Sequence, residues 1–255
     1  VGGGALAARA AGADESKMFL NDICDFHCAQ LQANFPKATV VPEDIMTESF
    51  MAKMRNFRDK VDCMETSLNC QPSTSILTQH DKNDVRHELG PRQVAIAAVV
   101  RPKILIIEDV VGFARNQPER YEEILGLLRE VFRQVEVVIF NARHVGIAQN
   151  RNRLFILCSG PRGTPEEPVD LAPVMRAVRR QKQAFASGVK VDKCMREALA
   201  PFGFAIKEPA GPDKKAWQIS GNMQLVRFYD GVQLFGAHLV QPADPGGKGK
   251  GGRGG

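Results

Sequence analysis

Short apolar runs bounded by turn residues divide this chain, and between them apolar side chains recur every three or four positions. The runs predict strands at Met18–Leu20, Thr39–Val41, Asp62–Leu68, Ile104–Ile107, Val135–Phe140 and Leu154–Leu157. The helical spacing predicts α-helices over Cys24–Asn34, Gly90–Val100 and Pro118–Gln134. An alanine-rich helix is expected from Ala5 onward, stopped at Gly12 because glycine readily takes the conformation that ends a helix. Ile104-Leu105-Ile106-Ile107 has no polar alternate, so that strand reads as covered on both faces. Strands alternating with helices predict an α/β fold, a doubly wound and mostly parallel sheet.

The pattern breaks after Cys158, where Ser159–Pro165 reads as a linker and Leu171–Ala184 as a basic, helix-like stretch. The expected organisation is a core domain over 1–158, a small module over 159–205, a segment over 206–240 that returns to the core domain, and a tail over 241–255. From Gly246 onward that tail is only Gly, Lys and Arg, which cannot bury a core, and it is expected to be disordered. At the other end Gly2, Gly3 and Gly4 lead straight into the alanine-rich helix. A glycine-rich turn entering a helix ordinarily follows a strand, so a first strand is expected upstream of Val1.

With 255 residues and 44% apolar composition the chain can bury a full core, which excludes a wholly disordered protein. A net charge of +5 permits a polyanionic partner without requiring one. Six scattered cysteines, with no Cys-x-x-Cys pair, point to a reducing compartment, hence an intracellular protein, nuclear if the source is eukaryotic. Cys24, His27 and Cys28 lack a second pair of ligands, so no metal site is expected there. No apolar stretch has the length of a membrane span, and nothing at the start resembles a signal peptide. Oligomeric state has no signature in the sequence.

Two residues at strand ends carry candidate chemistry. Cys70 lies where the run at Asp62–Leu68 gives way to the turn-rich Gln71-Pro72-Ser73-Thr74-Ser75, and Glu108 closes the run at Ile104–Ile107. A thiol is strongly nucleophilic and partly ionised near neutral pH. A carboxyl with a raised pKa can act as an acid, and Asp109 adds like charge if it shares a cavity with Glu108, although successive strand residues face opposite sides. Arg151 and Arg153 share one face of an extended segment, and their forks suit a phosphate, a base carbonyl or a carboxylate. Taken singly, a packed Cys and a solvated Glu are the ordinary readings.

Three motifs in order resemble those of the DNA cytosine-5 methyltransferase family. Asn69-Cys70-Gln71 is similar to the family's Pro-Cys-Gln, Glu108-Asp109-Val110-Val111-Gly112-Phe113 to its Glu-Asn-Val-x-Gly-Phe, and Gln149-x-Arg151-x-Arg153 to its Gln-x-Arg-x-Arg. Asp22-Ile23, Asp44-Ile45, Ala33-Asn34-Phe35-Pro36, Arg196-Glu197-Ala198 with Gly203-Phe204, and Gln218-Ile219-Ser220-Gly221-Asn222 resemble weaker family segments, so the likeness runs to about Val240.

The resemblance implies a Rossmann-like, S-adenosylmethionine-dependent methyltransferase fold with a small recognition appendage. By it, Cys70 is the nucleophile, Glu108 the acid at ring nitrogen 3 of cytosine, and Arg151 and Arg153 support a base flipped out of the helix. Gly2, Gly3, Gly4, Asp22, Ile23, Asp44, Ile45, Asn69, Gly221 and Asn222 are expected to hold S-adenosylmethionine. Gln71, Gln149 and the basic run with Arg176, Arg179 and Arg180 are expected to meet cytosine-containing double-stranded DNA, although a solvated helix face explains that run equally well. Asn69, Asp109 and Ala148 depart from the family's proline, asparagine and proline. Those departures keep open a catalytically impaired homologue that binds nucleic acid or a partner. An RNA cytosine methyltransferase shares the base chemistry and stays open too, with an unrelated nucleotide-binding oxidoreductase more distant.

Overall fold

The computed structural model describes residues 2–68, 88–145 and 151–187, together with three short strands beyond them. Helix α1 (Gly3–Ala10) comes first, then β1 (Phe19–Asp22), α2 (Asp25–Asn34), β2 (Thr39–Pro42), α3 (Glu48–Arg55) and β3 (Cys63–Ser67). After the stretch that contains Cys70 follow α4 (Leu89–Val100), β4 (Ile104–Val110), α5 (Val111–Asn116), α6 (Pro118–Val131), β5 (Phe132–Asn141), β6 (Asn152–Pro161) and α7 (Ala172–Ala186). The last strands are β7 (Ile206–Lys207), β8 (Ala216–Ile219) and β9 (Arg227–Tyr229).

Two compact units divide the chain: the first holds 1–138 and 154–172, the second 139–153 and 173–255. In the first, β1 pairs in parallel with β2, Asp22 opposite Pro42, and β3 in parallel with β4, Ser67 opposite Glu108. Strands β3, β4, β6 and β5 form one sheet in that order, while β1 and β2 form another. The expected α/β alternation with parallel pairing is present, and its hydrogen bonding falls into two sheets rather than one. In the second unit β7, β8 and β9 make an antiparallel sheet.

Apolar side chains sort to both faces of the strands, which is why helices cover both. Phe19 of β1 joins Phe50, Met51 and Met54 of α3 and Ile96 and Val100 of α4. Its neighbour Leu20 points the other way, onto Ala5 of α1 and Leu31 of α2 with Phe35. The largest cluster sets Leu105 and Ile107 of β4 and Leu154 and Ile156 of β6 against Ile124, Leu125 and Leu128 of α6.

Several elements differ from the sequence expectation, which did not contain α5 or β7 to β9. Helix α6 stops at Val131 rather than Gln134, because Phe132 turns extended to bury its ring in that cluster and the Val131 carbonyl accepts the Arg162 amide at 2.8 Å. Ser159, Gly160 and Pro161, expected to start a linker, continue β6; Ser159 is buried and its hydroxyl donates to the Val169 carbonyl at 2.8 Å. Helix α3 was not expected. Thr47 caps it by accepting the Phe50 amide on its hydroxyl at 3.2 Å, a start signal that the sequence carries.

Candidate functional site

Parallel strands aim their carboxyl ends, and the loops after them, toward the same side of a sheet, which is where α/β folds bind ligands. The expected residues of the first unit follow that rule. Asp22 ends β1, Asp44 lies just past the end of β2, and Glu108 is two residues from the end of β4. Asn21 ties the first two ends together, its side-chain amide donating to the carbonyls of Val41 at 3.0 Å and Glu43 at 2.8 Å.

Both aspartates shape the turn that follows them. Asp22 Oδ1 accepts the Cys24 amide at 2.9 Å, and its Oδ2 lies 3.2 Å from His27 Nδ1. Asp44 Oδ1 accepts the Met46 amide at 2.9 Å. Ile23 stands 69% exposed beside Asp22, an apolar side chain held out to solvent next to a carboxylate. Ile45 is half-buried and packs against the α3–α4 cluster.

Gly2, which precedes α1, and Gly4, in its first turn, are closely approached by other side chains. Gly2 has φ 86, left-handed backbone that disfavours a side chain, and a Cβ there would meet Phe35 and Leu31 at 2.9 and 3.0 Å. A Cβ on Gly4 would fall on the carboxylate of Glu65, whereas Gly3 faces open space.

Strand β4 separates its two acidic residues. Leu105, Ile107 and Asp109 are each about 1% exposed on the core face, while Glu108 points to the opposite, half-open face. The like charge expected of Asp109 therefore does not share Glu108's side. Glu65 of β3 is the acidic residue that does. Glu65 and Ser67 alternate onto one face, and Ser67 is registered with Glu108, so the two glutamates are diagonal neighbours. The Glu65 carboxyl is pushed up, first by desolvation and then by the charge of Glu108, although the residue as a whole is exposed. Period-two spacing from Ser67 was the available signal, but it needed the register.

The end of β3 leads to the candidate nucleophile. Leu68 is buried, its amide donates to the Glu108 carbonyl at 3.3 Å, and Cys70 follows two residues later in the chain. Asn69, Cys70, Gln71, Gln149, Gly221 and Asn222 lie outside the described residues. Among the described cysteines, burial raises the thiol pKa of Cys28 and Cys63 and pushes Cys158 up to about 12, which leaves these three thiols un-ionised at neutral pH. No group of His, Cys, Asp and Glu suited to a metal occurs among the described residues, and no helix among them is long and apolar enough to cross a membrane.

The arginines expected to meet the base or the nucleic acid belong to the second unit. Arg151 is exposed, with its carbonyl accepting the Ala142 amide at 3.0 Å, and the Arg153 guanidinium donates to the Asn152 carbonyl at 3.0 Å. Arg176, Arg179 and Arg180 share an exposed face of α7, spaced three and four apart, while Met175 and Val178 are half-buried.

Comparison with known proteins places the chain in a family. A family model described as C-5 cytosine-specific DNA methylase matches residues 1–200. The Type II methyltransferase M.PspPI of Psychrobacter sp. (strain TA137) is 28% identical over 158 residues, covering 61% of this chain and 37% of the relative. The Type II methyltransferase M.XorII of Xanthomonas oryzae pv. oryzae is 27% identical over 153 residues, covering 56% and 35%. The match thus spans just over a third of the length of these relatives. Among solved structures, the Dnmt2 methyltransferase of S. pombe is similar with a TM-score of 0.49 at 22% identity, covering 69% of this chain and 52% of that one.

Proposed function

The chain belongs to the C-5 cytosine-specific DNA methylase family, and from that membership we propose that it forms part of a catalytic domain that methylates carbon 5 of cytosine in DNA. The observation that carries the reading is the junction of β3 and β4: Ser67 opposite Glu108, and Leu68 hydrogen-bonded to Glu108 two residues before Cys70.

Carbon 5 of cytosine is a poor nucleophile until a nucleophile adds at carbon 6. Cys70 is assigned that addition, as a thiolate forming the sulfur–carbon bond and driving the ring's electron pair toward nitrogen 3 and carbon 5. Glu108 is assigned the proton that meets the charge at nitrogen 3; its half-open strand face admits a base, which the core face of Asp109 does not. Arg151 and Arg153 are assigned to the extruded base and its flanking backbone, and Gln71 and Gln149 to the nucleic acid beside it.

S-adenosylmethionine supplies the electrophilic methyl group. The residues present fit it: Asp22 and Asp44 offer carboxylates for hydroxyl and amine groups, exposed Ile23 offers an apolar face to a purine, and Gly3 faces open space, with Gly2 and Gly4 assigned to the site beside it. Ile45, Asn69, Gly221 and Asn222 complete the assigned set.

A cytosine-containing duplex with fluorine at carbon 5 of the target tests the reading, because fluorine cannot leave as the proton does and the adduct persists. With S-adenosylmethionine present, a covalent protein–DNA species attached at Cys70 is expected, absent in Cys70→Ser. Absence of that species from the unaltered protein, with DNA still retained in a salt-sensitive way, would instead assign a binding role.

A further inference from the structure

We propose that Arg92 and Gln93, adjacent residues near the start of α4, are positioning residues that set the loop after β2 against the strand end leading to Cys70. The inference rests on the proposed roles of Asp44, Ile45 and Cys70 and adds the part that ties the Asp44–Ile45 turn and the end of β3 to one helix.

Arg92 reaches the loop with its whole fork. Its Nε donates to the Ile45 carbonyl at 2.8 Å and its Nη2 to the Thr47 carbonyl at 2.7 Å. Nη1 and Nη2 both reach Glu48 Oε1 at 3.2 Å. Ile45 and Thr47 bracket the turn that Asp44 organises, so one guanidinium holds the backbone on either side of Met46. The side chain of Glu48 is 77% exposed, which leaves its ion pair little to contribute. The two carbonyl contacts dominate, and a lysine ammonium on a flexible stem does not reproduce them as a rigid planar pair.

Gln93 reaches the other way. Consecutive helix residues diverge by about 100°, and the Gln93 side chain, 8% exposed, donates from Nε2 to the Ser67 carbonyl at 3.0 Å. Ser67 is the last residue of β3, opposite Glu108. Two neighbouring residues of one helix therefore connect the cofactor-side loop with the origin of the nucleophile segment. Rate depends steeply on such spacing, since a misplacement of about 1 Å costs roughly a hundredfold.

The test uses the full chain, with S-adenosylmethionine affinity and the rate of adduct formation on fluorinated duplex as separate readouts. Arg92→Lys is expected to weaken S-adenosylmethionine binding about tenfold, as loss of a charge-assisted hydrogen bond does, with little change in the KM for DNA. Glu48→Gln is expected to change it less than about twofold. Gln93→Met, of similar volume but without the donor, is expected to slow adduct formation about tenfold or more while leaving cofactor affinity near normal. Thermal unfolding of each variant identifies any that fail to fold, and the other substitution then carries the test. Equal loss of affinity and rate in both variants, or no change in either, overturns the positioning roles. An unaltered protein that forms no adduct and binds no S-adenosylmethionine overturns instead the reading on which they rest.

Discussion

Glu65 shows how two strands create a property that neither contains. On β3 it is one exposed acidic residue among alternating positions; beside β4 it becomes the like-charged neighbour of Glu108. Asp109, adjacent in sequence, is removed by the pleat to the buried face. Because the folded pKa of Glu65 lies above its ordinary 4.5, the folded chain holds that proton more tightly than the unfolded one. The penalty for its charge is absent below the ordinary value and develops as pH rises through the raised one. Glu65→Gln is therefore expected to raise thermal stability at pH 7 and to be neutral near pH 3, by less than about 1 kcal/mol because solvent screens an exposed carboxylate. Melting curves at the two pH values check the sign; stabilisation that is larger at pH 3 would contradict it.

At the scale of elements, what was legible followed from side-chain periodicity. Strands β1, β2, β3, β4 and β6 lie within a few residues of their apolar runs, and α2 and α4 begin and end within a residue of the expected bounds. The misplacements fall where one residue serves two patterns. Val131 and Phe132 continue the spacing of α6 yet have the β-branched and aromatic character of a strand, and burial of Phe132 decides for the strand. Helix α3 was hidden because Phe50, Met51 and Met54 form an apolar stripe only two turns long. For the site, the order of the carboxylates could be read from sequence, but not which side of β4 each occupies, nor the reach of Arg92 to a loop 47 positions earlier. Those depend on register and on packing between distant segments. The core that α6 completes is the firmest part of this arrangement: Leu128 is 0% exposed among Leu105, Ile107 and Phe132. Leu128→Ala is expected to destabilise the chain by roughly 2–5 kcal/mol through lost burial and the cavity left behind. Denaturant unfolding measures it directly, and a loss under about 1 kcal/mol would mean that α6 is not packed as described.

For the molecule as a whole, the residues proposed for chemistry and those proposed for polyanion contact fall largely to different units. The first carries Glu108, Asp22, Asp44 and the glycines, whereas the second carries Arg151, Arg153 and the arginines of α7. A net charge of +5 over 255 residues is too small to hold DNA by bulk attraction, so the proposed contact with DNA calls for local clusters. Arg176, Arg179 and Arg180 form such a cluster, with half-buried Met175 and Val178 on the same helix turned away from solvent. If they neutralise phosphates, each contact releases counterions, and the logarithm of affinity falls with the logarithm of salt by about 0.9 per phosphate. Replacing all three with alanine is expected to lower the steepness of that dependence by up to about 3 and to weaken binding to every sequence alike. The rate of Cys70 adduct formation at saturating DNA should change little, because phosphate contacts position the duplex without touching the base. Titrations of duplex DNA at several salt concentrations separate the two readings of α7: an unchanged slope makes those arginines an ordinary solvated face, while a reduced slope with the saturated rate preserved makes them part of the DNA interface.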